Sequence, residues 1–327
     1  MSSTAVVILN YNGAHFLDQF LPTLIAYTYN CDLIVADNKS TDNSLEILKK
    51  FADRIRVIEL EENFGYAGGY NQALKDLPNE FIILLNSDVE VTDDWTYPLI
   101  SLLEKEGEVA AAQPKIKDFN NKDRFEYAGA AGGYIDKLGY PFCRGRIFNT
   151  LEKDVGQYED PTQIFWATGA CFIIRAKVFK DIGGFDNSFF AHMEEIDLCW
   201  RLNNRGYQIK YQPKSTVYHV GGGTLNKQSP KKTFLNIRNN LLTLYKNLPA
   251  SSLMPILFLR VFLDLAAATL LGVKLGSKHG SAVIKAWIAF IKHKKEKDSF
   301  NRHNKNYFTK SIVSEYYLRG KRTFDEL

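Results

Sequence analysis

Five short apolar runs divide the first 115 residues. Each run is four to six residues long and ends in polar or glycine-containing residues, which is typical of buried strands in a parallel sheet. The segments that follow the first runs have helical spacing of their apolar positions. Strands and helices therefore alternate, which predicts an α/β fold with a Rossmann-like, mostly parallel sheet and helices on both faces. The runs are Ala5–Leu9, Leu33–Ala36, Ile55–Leu60, Phe81–Leu85 and Val109–Ala112.

The pattern changes in the middle of the chain. Lys117–Asp160 is polar, contains many glycine and aromatic residues, and has no regular period, so it predicts loops and short hairpins that form a substrate-specific surface. Strand character returns over Ile164–Arg175, and a short helix is predicted over Ala176–Asp181. A further helix is predicted over Glu194–Arg205, and Gly206 provides its stop signal.

Acidic side chains stand at the ends of two predicted strands. Asp37 follows the second run, and Asn86, Ser87 and Asp88 follow the fourth. Open α/β sheets bind ligands at the carboxyl edge of their strands, so we expect Asp88 to hold a divalent metal that in turn holds a nucleotide diphosphate. The alternative is a plain exit from the strand, since Asn, Ser and Asp all favour turns.

Three glycines, Gly65, Gly68 and Gly69, lie between the third run and the next predicted helix. Close approach of the backbone to a phosphate or ribose would explain them, and so would tight packing of a helix on the sheet. Their spacing and their place after the third strand differ from the dinucleotide-binding fingerprint.

Glu194 and Glu195 form a second acidic site at the start of a predicted helix. The helix dipole favours an ionised carboxylate there, and a general base must be ionised, although the same dipole should lower the pKa and weaken the base. Both could equally be ordinary acidic residues of a first helical turn. Asp197 and Arg201 are spaced for an i,i+4 ion pair on the same helix.

Composition and charge add a second region to this picture. The chain has 327 residues, which fits one large domain with an appendage, and the last 54 residues from Lys274 carry 13 Lys and Arg against 5 Asp and Glu. Such a basic tail suggests anionic lipid or nucleic acid as a partner. The cysteines have no C-x-x-C pair and predict buried thiols in a reducing compartment rather than a structural zinc site; no signal peptide is expected. They are Cys31, Cys143, Cys171 and Cys199.

The apolar stretch Leu253–Val273 is 21 residues long, the length needed to cross a bilayer. It contains Arg260 and Asp264, whose i,i+4 spacing would let them pair. A second apolar patch, Ala282–Ile291, is followed by the basic segment Lys292–Lys297. We expect helices lying in the membrane interface with lysines on anionic headgroups; a true span, or packing on the protein or in a homo-oligomer, stays open.

Taken in order, seven stretches over about residues 4–225 resemble an inverting family 2 glycosyltransferase of the GT-A fold, most like the bacterial rhamnosyltransferase branch. The individual motifs are short, and the resemblance rests on their ordered set. The stretches are Val7–Asn12, Asp37–Asp42, Asn63–Asn71, Asn86–Asp88, Gly169–Ala170, Gly184–Asp186 and Glu194–Arg201.

The resemblance implies roles for particular residues. Asn10 and Asp37 would contact the nucleotide base of the donor, and Asn63 with the glycines Gly65 and Gly68 would line its base and ribose. Asp88, beside the donor-contacting Ser87, would be the metal ligand of a D-x-D motif. The catalytic base of the family lies at the second position of a Glu-Asp pair, which is Glu195 here.

Two departures from the family pattern stand in this sequence. Asn86 replaces the first Asp of D-x-D, so direct metal ligation there is in doubt. Glu195 replaces Asp as the base, which leaves the assignment open between Glu195 and Glu194. His219 could be a further metal or phosphate contact, or a strand-end histidine packed on Tyr218.

The predicted function is that of a metal-dependent glycosyltransferase that uses Mg²⁺ or Mn²⁺, a nucleotide-diphosphate sugar donor, and a glycan or lipid-linked acceptor. We expect a GT-A domain over residues 1–226, with a donor half (1–115) and an acceptor half (116–226), and a C-terminal helical, basic region over 227–327. The protein should lie on the cytoplasmic face of the cell membrane and not bind nucleic acid. The alternative is a catalytically silent nucleotide-sugar-binding or scaffolding protein.

Overall fold

A nine-stranded sheet forms the centre of this computed structural model, which describes residues 2–221, 229–293 and 307–327. A smaller four-stranded antiparallel sheet stands beside it. The strands of the two sheets are β1 (Thr4–Asn10), β2 (Asp32–Asp37), β3 (Arg56–Glu59), β4 (Phe81–Asn86), β5 (Val89–Val91), β6 (Val109–Asp118), β7 (Gly133–Ile135), β8 (Pro141–Cys143), β9 (Arg146–Ile147), β10 (Thr150–Leu151), β11 (Thr162–Ile164), β12 (Cys171–Arg175) and β13 (Gln208–His219).

The strand order of the large sheet is β11-β13-β6-β12-β4-β1-β2-β3, and β5 pairs with β13. The four strands β3, β2, β1 and β4 are parallel neighbours, and β12 is the antiparallel strand between β4 and β6. The carboxyl ends of β1, β2 and β4 therefore meet at one edge of the sheet. The predicted mostly parallel α/β architecture is confirmed.

Helices cover both faces of the large sheet, and the strands supply a core to each face. In β4, Ile82 and Leu84 pack into one core while Phe81, Ile83 and Leu85 pack into the other, because successive side chains of a strand point to opposite faces. The helices are α1 (Ala14–Tyr27), α2 (Ser44–Lys49), α3 (Gly65–Leu74), α4 (Tyr97–Lys105), α5 (Ala176–Asp181), α6 (Glu194–Asn204), α7 (Pro230–Asn247), α8 (Ala250–Leu275), α9 (Ser277–His293) and α10 (Ile312–Tyr317).

The structure differs from the sequence-based expectation in one strand. Ile164–Arg175 was predicted as a single strand, but it forms β11 at the edge of the sheet and β12 at its centre. Between them the backbone N–H of Gly133 donates to the carbonyl of Trp166, and the N–H of Thr168 donates to the side chain of Gln113. These contacts turn the chain away from the edge, so it crosses to the gap between β4 and β6.

The segment predicted to form loops and hairpins contains the meander β7–β10, as expected. The C-terminal residues 307–327 return to this meander. The N–H of Phe308 donates to the carbonyl of Ile135 at 2.8 Å, and the N–H of Ile312 donates to the Asp136 carboxylate at 2.9 Å. The residues 307–327 therefore pack against the meander rather than trailing from it.

Helix α8 packs with its polar side inward. Arg260 and Asp264 are each only 1% exposed and form the predicted i,i+4 ion pair, whereas Phe258 and Phe262 on the same helix are 65% and 58% exposed. Among the described residues, α8 is the single helix that is long and apolar enough to cross a membrane. An apolar face on the surface supports a membrane-associating C-terminal extension. The lysines predicted to bind headgroups at 294–297 lie outside the described residues.

Candidate functional site

Two predicted donor-binding side chains meet at the carboxyl edge of the sheet. Asn10 ends β1 and Asp37 ends β2, and the Asn10 amide donates to the Asp37 carboxylate at 3.0 Å. The other Asp37 oxygen accepts the backbone N–H of Ser40 at 2.9 Å. The side-chain oxygen of Asn10 is buried and has no hydrogen-bond partner among the described residues. This edge therefore keeps one buried acceptor unpaired, beside Gly13.

The turn that leads into α3 is held by Asn38, a residue that the sequence did not single out. Its amide donates to the side-chain oxygen of Asn63 at 3.1 Å and to the carbonyl of Gly65 at 3.0 Å. The Asn63 oxygen also accepts the N–H of Gly65 at 3.0 Å. Asn63 is thus part of the turn itself, and its outer side is exposed.

The three glycines lie within the first turns of α3 rather than in a loop. A Cβ on Gly69 would come within 2.8 Å of Leu9, and a Cβ on Gly68 within 2.9 Å of Phe64. Gly65 has φ +70 and would contact Phe190 at 2.7 Å. Close packing accounts for all three, and contacts from Gly65 and Gly68 to a donor stay a prediction.

Asp88 belongs to a buried cluster with His219 and Glu126. The Nε2 atom of His219 lies 3.2 Å from the Asp88 carboxylate, and its Nδ1 atom lies 3.4 Å from Glu126. β13 ends at His219 and pairs there with Val89, the first residue of β5, which places the imidazole beside Asp88. Glu126 was not among the predicted residues, because it comes from an irregular segment with no motif around it.

The charges of these three side chains shift one another's pKa values. Burial alone would lower the pKa of His219, but the carboxylates of Glu126 and Asp88 outweigh it and raise the pKa to about 10. Burial would likewise raise the pKa of Asp88 and of Glu126, but His219 lowers both. Asp88 and Glu126 are therefore ionised at neutral pH.

The donor set at Asp88 suits a divalent metal completed by substrate. Mg²⁺ and similar ions are held by one or two protein carboxylates together with phosphate oxygens and water, and Asp88 is one such carboxylate. His219 would join it as a ligand only by losing the proton that Asp88 and Glu126 stabilise, because an imidazolium has no free lone pair. Among the described residues no group of three or more His, Cys, Asp or Glu side chains is placed to hold a metal alone. Asn86 points its amide nitrogen at His219, 3.5 Å from Nε2, and contributes no carboxylate; Ser87 is half-buried beside it.

The second acidic site is built differently. Glu194 is buried and Glu195 is half-buried, and each keeps one carboxylate oxygen without a hydrogen-bond partner among the described residues. Burial raises the pKa of Glu195 to about 7, and burial together with the charge of Glu195 raises the pKa of Glu194 well above its ordinary range. The expectation that the helix dipole would lower these pKa values was wrong, because the cost of desolvation exceeds the dipole effect at this site.

A strained loop presents this pair. Phe190, His192 and Met193 have φ values of 63, 70 and 73, in the left-handed region that non-glycine residues rarely adopt. The side-chain amide of Asn239 on α7 holds the loop by donating to the carbonyls of Phe189, Ala191 and His192 at 3.0, 2.9 and 2.7 Å. No sequence pattern links Asn239 to the acidic pair, since the contact is made across the tertiary fold.

Asp197 lies on α6, the helix that carries Glu194 and Glu195, and is fully buried. Its carboxylate accepts hydrogen bonds from Arg201 at 2.8 Å, from Lys246 at 2.9 Å and from Asn247 at 2.9 Å. The predicted Asp197–Arg201 pair is confirmed as part of this larger network, which ties α6 to α7.

Two connections join the acidic sites. The hydroxyl of Tyr66 donates to the carbonyl of Gly169 at 2.7 Å, and the N–H of Asn86 donates to the next carbonyl, that of Ala170, at 2.9 Å. Burial first, then Tyr70, and then the charges of Glu194 and Glu195 raise the pKa of Tyr66, so this phenol is within electrostatic range of the acidic pair. Tyr66 therefore links the two sites, and we call the region between them the cleft.

On the other side of the cleft stands Cys143 of the meander. Burial raises the pKa of its thiol, Arg146 opposes that rise, and the charges of both Glu126 and Glu195 add to it. Cys143 therefore lies within electrostatic range of one carboxylate from each site. The meander forms a wall of the same cleft.

Comparison with known proteins agrees with this geometry. The family profile described as Glycosyl transferase family 2 matches residues 5–183, a span that contains Asp37 and Asp88 and ends before Glu195 and His219. The N-acetylglucosaminyl-diphospho-decaprenol L-rhamnosyltransferase of Mycobacterium tuberculosis is 26% identical over 233 residues, which are 65% of this chain and 75% of that protein.

Two solved structures have the same fold. The Pyrobaculum calidifontis mannosyltransferase PcManGT in complex with GDP-Man and Mn²⁺ superposes with a TM-score of 0.57 and 15% identity, covering 90% of this chain and 88% of that one. TarS 1–349 of S. aureus in complex with UDP-GlcNAc gives a TM-score of 0.58 and 18% identity, covering 89% and 81%. Since the family profile covers more than half of its length, this chain belongs to the glycosyl transferase family 2 and has the GT-A fold.

Proposed function

We propose that this protein is an inverting, metal-assisted glycosyltransferase that moves a sugar from a nucleotide-diphosphate donor to a glycan or glycolipid acceptor. One observation carries the proposal. The same cleft is bordered by a carboxylate that stays ionised, Asp88, and by one whose pKa is about 7, Glu195. The first suits a cationic partner of the leaving group, and the second suits a general base.

The donor would lie along the carboxyl edge of the sheet. Asn10, Asp37 and Asn63 would contact the nucleoside, the backbone at Gly65 and Gly68 would line it, and Ser87 would approach the diphosphate. Asp88 would hold Mg²⁺ or Mn²⁺, and His219 would join it as a ligand when the metal displaces the proton that Asp88 and Glu126 stabilise. When bound, the metal would supply positive charge that neutralises the diphosphate leaving group.

Glu195 would act on the opposite face of the transferred sugar. Its ionised carboxylate would accept the proton of an acceptor hydroxyl while that oxygen bonds to the anomeric carbon. The bond from the anomeric carbon to the diphosphate oxygen would break in the same step, and its electron pair would leave with the nucleoside diphosphate. A single displacement of this kind inverts the anomeric centre.

The environment of the pair favours Glu195 over Glu194 as the base. Glu194 is buried, and burial together with the charge of Glu195 raises its pKa well above its ordinary range, which disfavours its ionised form. Glu195 is half-buried and titrates at about 7, so it is both reachable and readily ionised. A base is most effective when its pKa lies near the working pH.

The acceptor would be presented at a membrane. The M. tuberculosis relative is named for a lipid-linked acceptor, and the outward face of α8 exposes Met254, Phe258 and Val273 by 67%, 65% and 81%. An apolar helix face of this kind suits the headgroup boundary of a bilayer. We place the protein on the cytoplasmic face of the cell membrane as a peripheral enzyme of cell-envelope polysaccharide synthesis.

Binding and release of the donor nucleotide test the enzyme proposal. Purified protein is titrated with UDP-, GDP- and dTDP-sugars with and without Mn²⁺, and nucleotide release is followed with glycolipid present. We expect metal-dependent affinity that Asp88→Ala abolishes and Tyr29→Ala preserves. A donor that binds but is never cleaved would favour the silent binding protein instead.

Vesicle flotation tests the membrane proposal. Phe258→Ser with Phe262→Ser removes two exposed rings from the outer face of α8 and leaves the buried Arg260–Asp264 pair in place. We expect this double variant to lose binding to vesicles that contain anionic lipid while keeping its melting temperature. Unchanged flotation would contradict a lipid-facing α8.

A further inference from the structure

A group of aromatic rings forms an exposed platform on the acceptor side of the cleft. Phe148 follows β9, and Tyr316 and Tyr317 end α10. Their ring centroids lie 4.9 to 5.2 Å apart, in tilted and edge-on arrangements. Tyr317 is 52% exposed and Tyr127, on a neighbouring segment, is 46% exposed. Phe148 and Tyr316 are half-buried, and Tyr127 adjoins them because its ring lies over the guanidinium of Arg146, two residues before Phe148.

The platform is fixed in place by specific contacts. Asp136 accepts the N–H of Ile312 at 2.9 Å, which pins the start of α10 to the meander. The Tyr316 hydroxyl hydrogen-bonds with Thr150 at 2.9 Å, and the Arg322 guanidinium lies 3.9 Å from the centre of the Tyr316 ring. The platform therefore combines two distant parts of the chain, the meander and the C-terminal segment.

The platform adjoins the reacting groups. Glu126 points inward to His219, and the next residue, Tyr127, points outward over the guanidinium of Arg146 at 4.5 Å. Arg146 is only 8% exposed, and its Nε atom has no hydrogen-bond partner among the described residues. Its terminal nitrogen contacts Cys143, whose thiol is within electrostatic range of Glu195. Through Tyr127 the platform therefore directly adjoins Glu126 of the first acidic site.

We propose that the platform formed by Tyr127, Phe148, Tyr316 and Tyr317 binds a pyranose ring of the acceptor. This inference rests on the proposed transferase function and adds where the acceptor sugar lies. The C–H face of a pyranose is apolar and can stack on an aromatic ring, while its rim of hydroxyls needs donors and acceptors, which the exposed Arg322 and the tyrosine hydroxyls provide.

The charged rim argues for a sugar over a lipid chain or a second copy of the protein. A lipid tail would gain nothing from the exposed guanidinium of Arg322. A stable protein interface needs about 800 Å² from each partner, more than four rings present.

Saturation-transfer difference NMR on the full chain tests the proposal, with N-acetylglucosamine and N,N′-diacetylchitobiose as probes. We expect transfer to the C–H protons of the sugar. Tyr317→Ser and Tyr127→Ser should weaken binding about fivefold to tenfold, whereas Tyr317→Phe keeps the ring and should bind nearly as well. Tyr29→Ala, at an exposed tyrosine on the amino edge of the sheet, is the matched control and should change nothing.

Donor affinity is measured on the same samples, so the two proposals can fail separately. Nucleotide binding that is intact while sugar binding is absent, or equal in Tyr317→Ser and wild type, would overturn the platform alone. Loss of both sugar binding and nucleotide binding by Tyr317→Ser, with a lowered melting temperature, would show a structural role and also overturn it. Absence of nucleotide binding in the wild type would overturn the proposed function.

Discussion

The two acidic sites of this cleft use the same functional group in opposite ways. Asp88 faces a histidine, and that partner keeps its carboxylate ionised. Glu195 has no such partner, and burial raises its pKa to about 7. The difference comes from the neighbours rather than from the residue type, since an isolated Asp and an isolated Glu titrate within about half a unit of each other.

The scaffolds of the two sites differ as well. Asp88 follows a buried strand, and His219 ends another strand of the same sheet, so regular backbone hydrogen bonds place both. Glu194 and Glu195 follow a loop with three left-handed non-glycine residues, and the side chain of Asn239 restrains that loop. Strain at the second site is consistent with a site shaped for function rather than for stability.

Replacement of Glu195, the proposed base, should produce the largest difference between the two sites in transfer and donor binding. Glu195→Gln removes the proton acceptor, so transfer should fall about 10²- to 10⁴-fold while donor affinity is kept. In the wild type, kcat/KM should rise with pH to a plateau above about 7, where the base is ionised. Glu194→Gln mimics the protonated residue and should have a small effect. If Glu194→Gln loses transfer and Glu195→Gln does not, the base is Glu194.

The two carboxylates should have opposite effects on the pH dependence of unfolding. Glu195 has a pKa of about 7 when folded against an ordinary value of 4.5, so the folded state loses stability as pH rises between these values. Glu195→Gln should therefore raise the free energy of unfolding at about pH 8 by up to about 3 kcal/mol and change it little below about pH 4.

Asp88 should behave in the reverse sense. Its lowered pKa stabilises the folded state above its ordinary value, and this contribution is lost as pH falls through the folded pKa. Asp88→Asn should destabilise the protein at about pH 8. Urea titrations of both variants at the two pH values measure the effect, and equal signs at high pH would refute the contrast.

Loosening the strained loop should weaken only the second site. Asn239→Leu removes the amide that donates to three backbone carbonyls of the loop, of which that of Phe189 keeps a bond from Arg238. Displacement of the proposed base by about 1 Å costs on the order of 100-fold in kcat. Donor affinity should stay unchanged. The adjacent Asn240→Leu removes a buried amide of the same size that bonds Gly139 and Arg260, so comparable destabilisation with kcat retained is its expected result. Equal losses of kcat in both variants would point to a general structural effect.

A smaller effect is expected at the first site from Glu126→Gln. The carboxamide no longer fixes the His219 imidazole by charge, and such a change typically weakens metal affinity about 10- to 100-fold. Isothermal titration with Mn²⁺ and nucleotide should show this loss, while nucleotide affinity without metal should be unchanged. Full metal affinity in Glu126→Gln would show that Glu126 does not support metal binding.

Sequence could predict those parts of the molecule whose structure is determined by residues that are neighbours along the chain. The run Phe81–Leu85 forms a buried strand because its apolar residues need two covered faces, and Asp88 follows it at the carboxyl edge as expected. Glu126 and Asn239 could not be predicted, because each acts through one contact across the fold. The pKa of Glu195 was misjudged for the same reason: the helix dipole is visible in the sequence, but burial is not.

The division into a catalytic body and a C-terminal appendage also depends on tertiary contacts. The boundary at 226 stays a prediction, but α7 supports the acidic pair, and the segment 307–327 covers the meander. Both contacts join residues far apart along the chain, and the sequence pattern of the tail shows only its apolar and basic character.

The consecutive residues Asn239 and Asn240 on α7 set a limit on shortening this chain. Asn239 holds the loop of the acidic pair, while the side-chain oxygen of Asn240 accepts a hydrogen bond from Arg260 of α8 at 2.5 Å. Removing α8 to obtain a more soluble enzyme would leave that buried oxygen unpaired one residue from the support of the base, at a cost of about 1–3 kcal/mol. Solubility is therefore better sought by replacing the outward rings of α8 than by truncation.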